Sequence, residues 1–364
     1  MSLFDRLDDK RVVVVAGSGG VGKTTTSAAI ALGLAARGRR VAVVTIDPAR
    51  RLAQALGLEE LGNAPRRVDP ARLDDDLAVS GELWAMMLDS KRTFDELIAR
   101  LAPDARTRDE VLANRIYQEL SGAVAGSQEF TAIAKLYELD RMGDFDVLVL
   151  DTPPSRNALD FLHAPDRLTG FFEGRALKVL LGPTGLAARV VGRGSSVMFG
   201  VLRRVTGVDL LADLGVFFRA LGGLVDGFRE RAAGVKRLLA DPATTFLVVA
   251  SPEREPVEEA IFFHGKLLEA GLPFGGLVVN RVHRDEHPEA GTEEVAAALE
   301  EPLGKALAGA VGENLAAFRC LTARDARAVE CLRSRLGIDD LVLVPHLDGD
   351  VHDLAGLAAI HRHL

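Results

Sequence analysis

Residues 17–26 read GSGGVGKTTT and follow directly on the apolar run RVVVVA of residues 11–16. Gly17, Gly22, Lys23 and Thr24 satisfy the spacing G-x4-G-K-[S/T], behind a strand-like run and ahead of a helix-like one. That spacing is the chemistry of a phosphate cradle. Glycines let backbone N–H groups turn inward around phosphate oxygens without Cβ clashes. Lys23 supplies a mobile positive charge at the β- and γ-phosphates, and the Thr24 hydroxyl is a ligand for Mg2+. A helix opening near Lys23 adds the positive end of its dipole, worth ~0.3–1 kcal/mol and up to ~2 when partly buried. The loop implies binding of a nucleoside triphosphate.

Two carboxylates stand where such a ligand needs them. Asp47 lies in TIDPARRLAQALGL (45–58) and Asp151 in VLVLDTPPSRNALDFL (147–162), each at the C-terminal end of an apolar run. Asp151 is placed to hold the water shell of Mg2+. Either aspartate could equally cap the N-terminus of a helix.

The elements that must position these groups are short, continuous apolar runs at 11–17, 41–47, 82–89, 146–151, 244–251, 275–280 and 341–345. Such runs suit strands buried on both faces of a parallel sheet. Helical stretches at 24–38 and 253–271 lie between them, so an α/β, doubly wound, mostly parallel sheet is expected. Residues 52–81, 90–143 and 156–243 break the alternation and are expected to be helical insertions that form a subdomain on one large domain, 1–364.

Composition narrows the rest. A net charge of −8 over 364 residues, 48% of them hydrophobic, argues against a nucleic-acid coat. The opening MSLFDRLDDK has no apolar h-region, and no run reaches the ~20 apolar residues of a membrane span. Only Cys320 and Cys331 occur, which is neither a disulfide framework nor a zinc half-site. A cytoplasmic location is the expectation. HRDEH (283–287) lacks the order of a zincin motif and reads as a loop.

Taken together, GGVGKTT, DPAR and DTPP resemble the ArsA family of P-loop ATPases, in its single-copy bacterial form. That family includes the arsenite-pump ATPase subunit and the eukaryotic ATPase that delivers tail-anchored membrane proteins. It is grouped with the nitrogenase iron protein, MinD and ParA, which work as nucleotide-sandwiched dimers. The resemblance implies that Gly19, Gly20, Val21, Gly22, Lys23, Thr24 and Thr25 bind phosphates, with Gly17 and Ser18 completing the loop. It implies that Asp47 orients the attacking water and that Asp151 opens the second switch. It also implies that Asn280 meets the adenine edge and that Pro345 lies in a loop closing over the base. Asn280 at a strand end is also an ordinary turn residue.

The chain departs from the family pattern at Ser18, where relatives carry a lysine that reaches the other subunit's phosphates. Serine is neutral and too short to span an interface. Either a lysine-bearing paralogue supplies the charge in a heterodimer, or a nearby arginine replaces it in a homodimer. Arg50 and Arg51 stand out because relatives commonly read DPAH where this chain reads DPAR; solvated or salt-bridged surface arginines are the plain alternative. The paired cysteines that tie the tail-anchored-protein ATPase through zinc are missing. The two cysteines of this chain read as ordinary helix residues, commoner in cores than as ligands, which disfavours arsenite export.

Residues 175–208 carry five arginines and one lysine with no acid, a local inversion of the overall charge. A groove for a hydrophobic membrane-protein client, a membrane-surface element and an ordinary helical core all fit that pattern. The leading expectation is Mg2+-dependent ATP hydrolysis driving a dimer cycle that handles such a client. A MinD- or ParA-like positioning switch and the energising subunit of an anion pump are the alternatives.

Overall fold

The computed structural model describes residues 2–47, 50–69, 77–115, 117–118, 127–153, 224–338, 341–347 and 349–364. The basic segment 175–208 lies outside them, as do the residues after Pro153 that the second switch was expected to include.

Eight strands make one sheet: β1 (Val12–Ala16), β2 (Arg40–Thr45), β3 (Arg66–Arg67), β4 (Glu82–Met87), β5 (Val147–Asp151), β6 (Thr244–Ala250), β7 (Phe274–Val282) and β8 (Val342–Pro345). Their spatial order is β3-β4-β2-β5-β1-β6-β7-β8. Every neighbouring pair runs parallel except β3 with β4. This is the expected doubly wound α/β sheet. β1, β5 and β6 are buried along their whole length, which is why they read as unbroken apolar runs rather than alternating ones. β3 is two arginines long and lies within 52–81, where only helices and turns were expected; a pair of exposed charged residues carries no strand pattern to read.

The described helices are α1 (Leu3–Leu7), α2 (Lys23–Ala36), α3 (Arg51–Ala55), α4 (Ser90–Leu101), α5 (Ala105–Leu112), α6 (Ser127–Met142), α7 (Val225–Ala240), α8 (Arg254–Glu269), α9 (Thr292–Leu303), α10 (Lys305–Leu336) and α11 (Leu354–His361). None of the described helices is long and apolar enough to cross a membrane. The chain divides into two compact units, one holding the whole sheet and the other holding α4, α5, α6 and nearly all of α7. In the first, α2 is buried from Thr26 to Ala35. A helix covered on all sides needs no polar face, and its alanines allow close packing.

The second unit is organised around a carboxylate. Glu138 on α6 accepts ion pairs from Arg100 on α4, from Lys135 at 3.0 Å and from Arg231 on α7 at 3.4 Å. Burial alone would raise the Glu138 pKa, but hydrogen bonds from Arg100 and Lys135 outweigh it and hold the carboxyl below its ordinary value. The Tyr117 hydroxyl donates to Asp95 on α4 at 2.5 Å.

Candidate functional site

In a parallel sheet the C-terminal strand ends share one edge, and the predicted site residues gather there. β1 ends at Ala16 and feeds the loop 17–22 into α2. Two motif glycines are demanded by crowding. A Cβ at Gly17 would stand 2.1 Å from the Val249 carbonyl oxygen on β6, and one at Gly22 would stand 2.3 Å from Asn280 Nδ2 on β7. Gly22 also has φ 91°, where a side chain is strained.

Lys23 opens α2 with its ammonium folded back inside the loop, where Nζ donates to the Ser18 carbonyl at 2.7 Å. Burial lowers its pKa, against the opposing pull of Asp151 and Asp47. Ser18 is 8% exposed, and its hydroxyl is buried without a hydrogen-bond partner among the described residues. Gly19 and Gly20 are exposed, Val21 is buried in the core, and Thr25 is half-buried.

Asp151 is the hub. Its Oδ2 accepts from the Thr24 hydroxyl at 2.7 Å and from the Thr45 hydroxyl at 2.8 Å. Its Oδ1 is buried with no partner among the described residues. Burial pushes the Asp151 pKa up to about 6, with the two hydroxyls and Lys23 pulling it down. An orphaned carboxylate oxygen beside a threonine hydroxyl is an oxygen donor set of the kind Mg2+ prefers, with water completing the shell. The residues therefore fit the ion: Thr24 and Asp151 are the groups that would hold it.

Thr45 is the residue that motif reading missed. Besides donating to Asp151, its oxygen accepts the backbone N–H of Asp47 at 3.2 Å. One hydroxyl thus ties the backbone of Asp47 to the carboxylate of Asp151. The signal was a single hydroxyl ending the run RVAVVT; a polar group buried there needs a partner.

The Asp47 side chain is 16% exposed, with Arg51 Nε at 4.0 Å. Arg50 is well exposed and lies 3.8 Å from Glu60, with its backbone left-handed at φ 57°. On the far side of the loop, Asn280 Nδ2 donates to the Val21 carbonyl at 2.9 Å and Oδ1 accepts from the Arg281 N–H at 3.0 Å. Arg281 is the second left-handed non-glycine, φ 61°. Pro345 ends β8 beside Val282 of β7, and there His346 stacks on His283 with ring centroids 5.0 Å apart. Pro345 does not enter the hydrogen-bonded cluster around Asp151. Cys320 and Cys331 are both exposed, unlike the core cysteines that the sequence suggested. Eleven residues of one helix hold them about 16 Å apart, too far to share one ligand.

Residues 10–299 match the anion-transporting ATPase (ArsA) family model. The chain belongs to this family. The resemblance carried by GGVGKTT, DPAR and DTPP therefore holds over most of its length. Among relatives of this ArsA-type chain, a putative arsenical pump-driving ATPase 1 of Aquifex aeolicus is 27% identical over 279 residues, 76% of this chain and 64% of the relative. An arsenical pump-driving ATPase of Acidiphilium multivorum is 30% identical over 298 residues, 80% of this chain and 42% of the relative. The ATPase get3 of Aspergillus terreus is 32% identical over 158 residues, 43% of each chain. The ArsA-type chain thus spans less than two thirds of the length of these relatives.

Proposed function

We propose that this chain is a Mg2+-dependent ATPase whose turnover drives a dimer cycle used to handle a membrane-protein or other hydrophobic client in the cytoplasm. The observation that carries the reading is the convergence of Lys23, Thr24, Thr45 and Asp151 on one strand-end cluster beside a glycine loop. When bound, Mg2+ neutralises charge on the β- and γ-phosphate oxygens. The loop amides and Lys23 hold those oxygens and stabilise the transferring phosphoryl group. Asp47 orients a water toward the γ-phosphorus and takes its proton as the new P–O bond forms; the bond to the β–γ bridging oxygen breaks, leaving ADP and phosphate. Through Thr45, the position of Asp47 follows the state of Asp151. Asn280, near the C-terminal end of β7, and Pro345, at the end of neighbouring β8, form the base side of the site. Asn280 also buttresses the loop through Val21.

The names of the relatives divide between arsenical pumps and GET3-type ATPases. The separation of the two cysteines favours the client reading over an anion pump. The partner in the dimer is a second copy or a lysine-bearing paralogue.

Phosphate release from Mg2+-ATP tests the catalytic part. Lys23→Ala is expected to lower turnover at least a hundredfold in a chain that remains folded. Turnover retained in that variant would refute the assignment of the cradle.

A further inference from the structure

A cleft of about 620 Å3 lies between α8 and α10, on the unit that holds the sheet. Its floor is apolar, built from Val257, Ile261, Ala328 and Cys331, with Phe262 52% exposed at its edge. Its rim is basic: Arg254 stands on one side and Arg324, Arg327 and Arg335 on the other, with Glu258 the single acid among the lining residues. In a chain of net charge −8 this is a local inversion of sign.

The four guanidiniums are not equivalent. Arg254 is matched by Glu258 at 2.9 Å and Arg324 by Asp325 at 2.8 Å. Among the described residues, Arg327 donates only to the Ala323 carbonyl of its own helix, at 3.1 Å. Among the described residues neither Arg327 nor Arg335 has a carboxylate partner. They stand on one helix eight positions apart, about 12 Å along its axis, with Ala328 and Cys331 between them.

We propose that this groove docks an acidic amphipathic helix of a protein partner. A helix laid along α10 brings carboxylates at positions i and i+7 or i+8 to Arg327 and Arg335, while apolar residues at i+3 and i+4 cover the floor. Two cations without a carboxylate partner among the described residues, about 12 Å apart and with an apolar strip between them, are matched by two anions on one rigid rod of helix. Arginine and an exposed aromatic beside an apolar floor are also the composition of protein interface centres. The groove uses none of the nucleotide-site residues, so it stands independently of the proposed ATPase chemistry.

The test replaces Phe262 with benzoylphenylalanine in the full chain, irradiates the producing cells and sequences the adduct by mass spectrometry. The expected adduct is a partner segment of helix-forming sequence with Asp or Glu seven or eight positions apart and apolar residues between. Its yield is expected to fall at least tenfold in the Arg327→Glu, Arg335→Glu double variant. It is expected to persist in Arg106→Glu, a surface change in the other unit, with ATP turnover equal in all three. No adduct, an adduct with a second copy of this chain or with lipid, a captured segment without that acidic spacing, or capture insensitive to the double charge reversal would each overturn the proposal.

Discussion

Thr45 and Asp151, far apart in sequence, are register partners at the ends of adjacent parallel strands, and the hydroxyl of one donates to the carboxylate of the other at 2.8 Å. The same hydroxyl oxygen receives the Asp47 N–H at 3.2 Å. A side chain with no charge therefore joins the two acids that the proposed reaction depends on.

Removing that junction should lower turnover without emptying the site. A hydrogen bond to a charged group is worth about 1.5–3 kcal/mol, so Thr45→Val is expected to reduce kcat roughly tenfold to a hundredfold. Thr45→Ser, which keeps the hydroxyl, should stay within about threefold of wild type. Steady-state phosphate release separates the cases. Equal loss in Ser and Val variants would mean that the methyl packing, not the hydroxyl, matters.

Asp151 should be a stability liability in the ligand-free chain. Its pKa is raised by burial from 3.8 to about 6, so the folded state resists ionisation that the unfolded chain accepts. The sign follows: this group costs nothing below about pH 4, and the cost grows as pH rises through 6. It reaches roughly 3 kcal/mol at pH 7 at about 1.4 kcal/mol per pKa unit. Asp151→Asn is therefore expected to raise the thermal midpoint by several degrees at pH 7.5, with the gap closing toward pH 4. Thermal unfolding across that range reads it out. A variant less stable than wild type at pH 7.5 would contradict the assigned environment.

The Glu138 hub carries the opposite sign. Its carboxyl is held below its ordinary pKa by Arg100 and Lys135 against the effect of burial, so its stabilisation is present at neutral pH and lost as the carboxyl protonates in acid. Glu138→Gln leaves Arg100 and Arg231 without this carboxylate, while Lys135 keeps Glu96 at 3.6 Å, and is expected to destabilise the helical unit by roughly 3 kcal/mol. Hydrogen exchange in α4, α6 and α7 should rise at pH 7 and change little in the sheet. Unchanged exchange there would show that the network is solvated and weak.

Gly22 is held by both its backbone and its neighbour. Gly22→Ala places a Cβ 2.3 Å from Asn280 Nδ2 in a left-handed backbone, so the loop must shift. ATP affinity by calorimetry is expected to fall at least tenfold; an unchanged affinity would mean that the loop has room to spare.

The loop 17–25, the parallel sheet and the strand-end aspartates were legible because each is written in contiguous residues: a motif, an apolar run, a charge ending that run. What was not legible depends on residues distant in sequence. The Asp151 partner of Thr45 emerges only when β2 and β5 pair. Asn280 is a plain turn residue until β7 brings it against the Val21 carbonyl. The left-handed backbones at Arg50 and Arg281 have no sequence mark, since neither is Gly or Asn, and strain of this kind gathers at functional sites. Arg327 and Arg335, without a carboxylate partner among the described residues, read as solvated helix charge until α8 supplies the other wall.

Ser18 bears on the central claim most directly. Its hydroxyl is neutral and buried within the loop, so it supplies no charge to another subunit. The deciding measurement is molar mass in solution, by light scattering, of Asp47→Asn protein with Mg2+ and ATP. The account predicts an ATP-dependent species at twice the 38.9 kDa of one chain, after which Arg50 and Arg51 become the residues to test for the missing charge. A chain that binds ATP and remains monomeric would contradict self-pairing and leave a paralogous subunit as the only source of that charge.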